Sequence, residues 1–180
     1  QRLIYIGKDV WAAMQTVITR FHEEASMLDD IYNARILEFA GNIPRIGRLE
    51  HPQATAKAHS KLCGSTVIVD LCLEDGVVSD YAHDVKACAL GQASSSVVAR
   101  HVIGATPEEL REVRKTMRAM LKEGAEPPRE IYGGKWKDLE VLEPVREYKA
   151  RHASTLLTFD AVVDALDQIE AKAKEDSAVA

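Results

Sequence analysis

Thr66-Val67-Ile68-Val69-Asp70-Leu71-Cys72-Leu73-Glu74, then Asp75-Gly76, then Val77 to Val85, is the stretch on which the fold turns. Val67, Val69, Leu71 and Leu73 alternate onto one face, and Ile68 and Cys72 share the other with Asp70. That period of two marks a strand with one apolar face. Asp-Gly is a strong two-residue hairpin signal, so Val77 to Val85 should return antiparallel. Upstream, Ala54 to Lys61 alternates weakly. The segments flanking the hairpin each carry a cysteine beside small residues: Lys61-Leu62-Cys63-Gly64-Ser65 before it and Lys86-Ala87-Cys88-Ala89-Leu90-Gly91 after it. A hairpin between them carries both thiols to one end of a sheet.

The periodicity elsewhere is helical. Leu3 to Ile6 reads as a short strand, and Asp9 as the cap of a helix carrying Trp11, Met14, Ile18 and Phe21. Leu28 to Ala40 is a second helix, stopped by Gly41-Asn42-Ile43-Pro44. Residues 45–53 are loop-like. Gln92 to Val102 is a helix opened by small residues and ended near Gly104. Thr106-Pro107-Glu108-Glu109 combines a capping box with proline at the first helical position. Residues 126–138 read as a loop, with Trp136 either a docking surface with Lys135 and Lys137 or an apolar anchor. Leu139 to Tyr148 reads as a short helix. A last helix carries Phe159, Val162, Val163, Leu166 and Ile169 and frays from Lys172. The simplest architecture is α+β, a small antiparallel sheet covered by helices.

The 180 residues suffice for one compact domain, or one plus a small appendage, and 46% hydrophobic content supports a real core. A net charge of −5 points away from nucleic acid. No stretch approaches the roughly 18 apolar residues of a membrane span. Three cysteines fit reduced thiols rather than a disulfide framework. Met27 is a candidate original initiator, which would make residues 1–26 an extension; a processed organellar remnant is the alternative.

Cys63 and Cys88 are candidate thiolate ligands or a persulfide-accepting thiol. The helix after Cys88 would favour its thiolate through the N-terminal dipole. The bland alternative is two small buried hydrophobes. Cys72, in mid-strand, reads as packing. His152 stands out among the six histidines because it precedes a helix in a small-residue segment. Ser94-Ser95-Ser96 lacks a nucleophile elbow and reads as close packing. Gly133-Gly134-Lys135 lacks the Walker pattern, and no Cys-x-x-Cys, His-Glu-x-x-His or dinucleotide fingerprint is present.

From Leu28 to about Ala171 the chain resembles the NifU N-terminal/IscU/SufU type of iron–sulfur cluster assembly scaffold. Asp29 to Arg35 is similar to the family's opening segment, Cys63-Gly64-Ser65 to its Cys-Gly-Asp motif, and Cys88 to Ser96 to its second-cysteine segment without a gap. The long segment before the last helix resembles the SufU branch. The resemblance implies a three-stranded antiparallel sheet with several helices over residues 27–173, residues 174–180 being a tail. It implies a scaffold or binding protein rather than an enzyme. Sulfur would come from a cysteine desulfurase, and carrier or client proteins would take the cluster.

Two family positions differ. Ser65 replaces the aspartate, and the third cysteine is missing. In the SufU register Ser154 stands at its position. In the IscU register His152 matches the histidine and Ala153 replaces the cysteine. The implied site is Cys63, Cys88 and His152, a three-ligand Cys₂His set open to water, a partner or an exogenous thiol, with Ser65 and Ser154 as hard hydroxyls nearby. Its cargo would be a labile or dimer-bridged cluster (2Fe–2S included) or zinc. The alternative is a degenerate scaffold without metal, an accessory subunit or regulator of a larger assembly reached through residues 1–26. The implied compartment is the cytoplasm, or the mitochondrial matrix in a eukaryote.

Overall fold

The expected hairpin is present in the computed structural model, which describes residues 16–17, 19–20, 33–61 and 63–179. The strand expected at 3–6, most of the helix expected from Asp9 and the start of the helix expected from Leu28 lie outside those residues. Strands β1 (Ala54–His59), β2 (Thr66–Glu74) and β3 (Val77–Lys86) form one antiparallel sheet in the order β1-β2-β3. Asp75 and Gly76 both take positive φ, 51° and 79°, as a tight two-residue turn demands. A bulge at Cys72/Leu73 lets Ser79 go unpaired between Val78 and Asp80.

Helix α1 (Ala34–Gly41) is capped by Asn33, whose side chain accepts from the Ile36 N–H at 3.0 Å, and it stops at the expected Asn42. Helix α2 (Ala89–His101) follows β3 directly. Helix α3 (Pro107–Glu123) begins at Thr106, whose hydroxyl accepts from the Glu109 N–H at 3.1 Å, and ends on left-handed Gly124. A kinked turn (Ile131–Gly134) and a 3₁₀ segment (Lys137–Glu147, containing Pro144) lead to helix α4 (Lys149–Val179). Helix α4 stays helical through the stretch expected to fray, although its side chains from Ala171 to Ala178 are exposed. No helix among the described residues is long and apolar enough to cross a membrane.

The apolar face of β2, Val67, Val69 and Leu71, is fully buried as its alternation requires. Helix α4 packs on β1 and β2, α2 on β3, α1 on α2, and α3 on α4. The opposite face is closed by the loop 43–53. There Asp70, on the face shared with Ile68 and Cys72, is wholly buried. Arg48 donates to both its oxygens at 2.6 and 2.9 Å, Thr55 Oγ1 donates at 2.6 Å and the Leu49 N–H at 3.0 Å. Burial pushes the Asp70 pKa up, but these donors outweigh it and hold the carboxyl below its usual range. The loop also pairs with β3 through His83, which exchanges backbone hydrogen bonds with Gly47 and Arg45 and reaches the Pro44 carbonyl with Nε2 at 2.9 Å.

Trp136 is an anchor and not a docking surface. Its indole is fully buried and donates to Glu109 Oε1 at 2.8 Å, beside Lys135 Nζ at 2.7 Å from the same oxygen.

Candidate functional site

The β1–β2 loop is closed on itself. The Ser60 N–H donates to the Ser65 carbonyl and the Gly64 N–H to the Ser60 carbonyl, each at 2.9 Å. Gly64, at φ 68°, takes the left-handed conformation that glycine accepts without strain. The turn brings two buried hydroxyls onto Cys63: Ser60 Oγ lies 3.3 Å and Ser65 Oγ 3.0 Å from its Sγ. At the same end of the sheet, where Thr66 pairs with Lys86, β3 ends and Cys88 occupies the cap position of α2. Both thiols remain partly exposed.

The third side comes from far along the chain. Ser154, fully buried in the second turn of α4, places its Oγ 3.6 Å from Cys88 Sγ and within hydrogen-bonding reach of Cys63. Its hydroxyl donates to the Arg151 carbonyl at 3.0 Å and accepts from the Cys88 thiol. Gly91 makes this approach possible. A Cβ there would lie 2.7 Å from Ala87 Cβ and 3.0 Å from the Ser154 carbonyl oxygen. Gly91→Ala should therefore push α4 away from α2, cost about 1–3 kcal/mol and loosen Ser154. Chemical denaturation measures the first effect, and the Cys63 alkylation profile the second.

Burial raises the Cys63 pKa, but the hydroxyls of Ser60 and Ser65, the Ser65 N–H and the Ser154 hydroxyl stabilise the thiolate more, bringing it from 9.0 to about 7. The shift favours the thiolate, which is both the nucleophile and the soft-metal ligand. The alkylation rate of Cys63 should reach half its maximum near pH 7. Ser65→Ala removes a donor to the anion, so the midpoint should move up; an unmoved midpoint would show that Ser65 does not act on the thiol.

The structure gathers Cys63, Cys88, Ser65 and Ser154, and it leaves out His152. His152 Nε2 is held by the Val145 and Arg146 carbonyls at 3.1 and 3.0 Å. Residues two apart on a helix point about 200° apart, so Ser154 and His152 take opposite sides of α4. The expected Cys₂His set does not form, and Ala153 is exposed. Cys72 lies toward the opposite end of β2, 3.6 Å from the His51 carbonyl. His59, at the site's end of the sheet, places Nδ1 3.1 Å from the Thr66 hydroxyl. No group of three or more His, Cys, Asp or Glu suited to a metal occurs among the described residues. The serines of α2 pack: Ser94 Oγ donates to Leu90 O at 2.9 Å and Ser96 Oγ to Asn42 O at 3.0 Å. Ser60 escaped the sequence reading. Its signal was a small hydroxyl residue three positions before a cysteine in a turn.

The family described as NifU-like N terminal domain matches residues 31–155. The crystal structure of a nitrogen-fixing NifU-like protein (N-terminal) from Brucella abortus is 65% identical, covers 81% of this chain and 99% of its own, and superposes with a TM-score of 0.77. The iron-sulfur cluster assembly scaffold protein IscU of Thermotoga maritima is 25% identical over 139 residues, 77% of this chain and 94% of the relative. A structure from thermophilic Fervidobacterium islandicum, put forward as an iron-sulfur cluster assembly scaffold for a SUF system, shares the fold at 23% identity and a TM-score of 0.67, covering 77% of this chain and 98% of its own.

Proposed function

The chain belongs to the NifU-like N-terminal domain family, and from that premise we propose that it is an iron–sulfur cluster assembly scaffold whose cargo (iron, sulfide or a nascent cluster) is taken up at Cys63 and Cys88. One observation carries the reading. Two thiols 25 positions apart in sequence converge on Ser154 at one end of the sheet, with Cys63 poised as a thiolate. In this reading Ser60, Ser65 and Ser154 hold the Cys63 anion, and Cys88 supplies the second sulfur. A cysteine desulfurase is the sulfur donor, and carrier or client proteins receive the cargo. Three thiols, none in a disulfide, suit a reducing compartment, and the cytoplasm is the one proposed.

The donor set supports a labile cargo. Zinc and cluster iron are typically four-coordinate, and this chain offers two soft sulfurs with hydroxyls that are poor substitutes. That shortfall favours a second reading, a degenerate scaffold acting as an accessory subunit. Anaerobic reconstitution with iron, sulfide and a cysteine desulfurase separates the two. The scaffold reading expects a thiolate-ligated cluster in Mössbauer and absorption spectra that is lost in Cys63→Ala and Cys88→Ala. A chain that takes up no cluster and binds no desulfurase overturns it.

A further inference from the structure

We propose that Cys63 and Cys88 are a peroxide-responsive pair: a hydroperoxide modifies Cys63, and Cys88 resolves the product into a reversible disulfide within the chain. The inference stands on the two thiols alone and needs neither a metal nor the scaffold reading. Its first ground is convergence on one atom. Cys88 Sγ lies 3.6 Å from Ser154 Oγ, and the same hydroxyl is a hydrogen-bond neighbour of Cys63. The second ground is the sheet register. Thr66 opposite Lys86 is the last pair of β2 and β3 on the side of the site. Antiparallel pairing steps one chain back as the other steps forward. Two steps further, position 64 stands opposite Cys88, and Cys63 is its immediate neighbour. Directly opposed residues lie about 4.5–5.5 Å apart at Cα, inside the range of roughly 4.4–6.8 Å that a disulfide spans. Gly64 gives the turn room to adjust, since a Cβ built there would meet nothing within 4 Å.

The third ground is access with asymmetry. Both thiols are partly exposed, so a small oxidant reaches them. Ser60 Oγ and Ser65 Oγ lie 3.3 and 3.0 Å from the Cys63 sulfur, where they support the anion as it attacks; Ser154 is the hydroxyl at Cys88. Cys72 is an internal control. It is partly exposed as well, but it lies toward the other end of β2 against the His51 carbonyl. In the first step the Cys63 sulfur attacks one peroxide oxygen. The S–O bond forms as the O–O bond breaks, and the other oxygen leaves as water with the thiol proton. Cys63 is oxidised to a sulfenic acid and the peroxide is reduced. The Cys88 sulfur then attacks the Cys63 sulfur. The S–S bond forms, the S–O bond breaks, and the hydroxyl leaves as water with the Cys88 proton.

The test treats the reduced full chain, without iron or sulfide, with hydrogen peroxide in the presence of dimedone, which traps sulfenic acids. Thiol titration and peptide mapping without reductant follow. Free thiols should fall from three per chain to one, with the Cys63 and Cys88 peptides joined and Cys72 free. Dithiothreitol should restore all three. Cys88→Ser should instead carry dimedone on Cys63, because the sulfenic acid has lost its resolving thiol. A wild-type chain that keeps dimedone on Cys63 and forms no disulfide overturns the inference. So does a disulfide to Cys72, or one that joins two chains. Because no iron or sulfide is present, such a failure is separate from any failure of the scaffold reading, which the reconstitution described above decides.

Discussion

Ser154→Cys will raise the affinity of the site for zinc about 100-fold and make its cluster resistant to desalting. Structural zinc sites gather about 10–16 kcal/mol from four ligands, or roughly 3 kcal/mol each, and this is about two orders of magnitude in affinity. Position 154 is suited to receive a third thiolate. Its Oγ is 3.6 Å from Cys88 Sγ, it reaches Cys63, and the helix holding it is locked against α2 at Gly91. The added sulfur is larger than the hydroxyl, but the partly exposed thiols give it room to settle. Competition with a chelator of known affinity measures the gain. Ser154→Ala is the control: it should leave zinc affinity near the wild-type value while raising the Cys63 alkylation midpoint, because it removes a donor and adds no ligand. If Ser154→Cys binds zinc no better than Ser154→Ala, position 154 does not face the metal, and the assignment of this residue to the missing thiolate fails.

Trp136→Ala will be the most destabilising of these substitutions, at about 3–5 kcal/mol, the range for deleting a fully buried aromatic. Trp136 is completely buried and sits edge-on to His101 with ring centroids 5.7 Å apart. Its indole N–H is also a principal partner of Glu109, a buried residue in the first turn of α3 that keeps the Lys135 ion pair when the ring is removed. Leaving a buried carboxylate short of a donor adds to the cavity cost. For a chain of this size the loss corresponds to a fall in melting temperature of about 10 °C. Trp136→Phe separates the two contributions, since it keeps most of the volume and loses only the donor; it should cost about 1–2 kcal/mol. A melting temperature unchanged in Trp136→Ala would mean that the segment 126–138 contributes little to the fold.

Glu109 also shows how a local signal is diverted. Thr106-Pro107-Glu108-Glu109 reads as a capping box, and the threonine does accept from the Glu109 N–H. The glutamate, however, is committed to Trp136 and Lys135 from a distant loop. A capping box is worth about 1 kcal/mol and is solvent-exposed, whereas a buried indole N–H must find an acceptor. The same logic explains Asp70. Alternation puts it on one face with Ile68 and Cys72, and residues 45–53 are loop-like in sequence. Nothing in either segment alone announces that Arg48, Thr55 and Leu49 will converge on that carboxylate.

The site was legible in part, and the boundary is instructive. Cys63, Cys88 and Ser65 follow from the hairpin, since the turn at Asp75-Gly76 sets the register and the register sets which residues share an end of the sheet. Ser154 and His152 were both plausible third partners from sequence, being two positions apart before the same helix. Choosing between them requires the rotation of α4 about its axis, and that rotation is set by how Ala161, Val162, Ala165 and Leu166 bury against the sheet and its neighbours.

By itself, then, the sequence determined the strand hairpin, the helix caps and the placement of two thiols at one end of a small sheet. These depend on period-two alternation, turn chemistry and contacts within a few residues. The tertiary structure alone decided that Ser154 and not His152 faces those thiols, that the hydroxyls of Ser60 and Ser65 lie against Cys63, and that Asp70 and Trp136 are buried. Each of those outcomes depends on packing between segments far apart in the chain, where a turn of one helix by about 100° per residue exchanges the side chains that face the site.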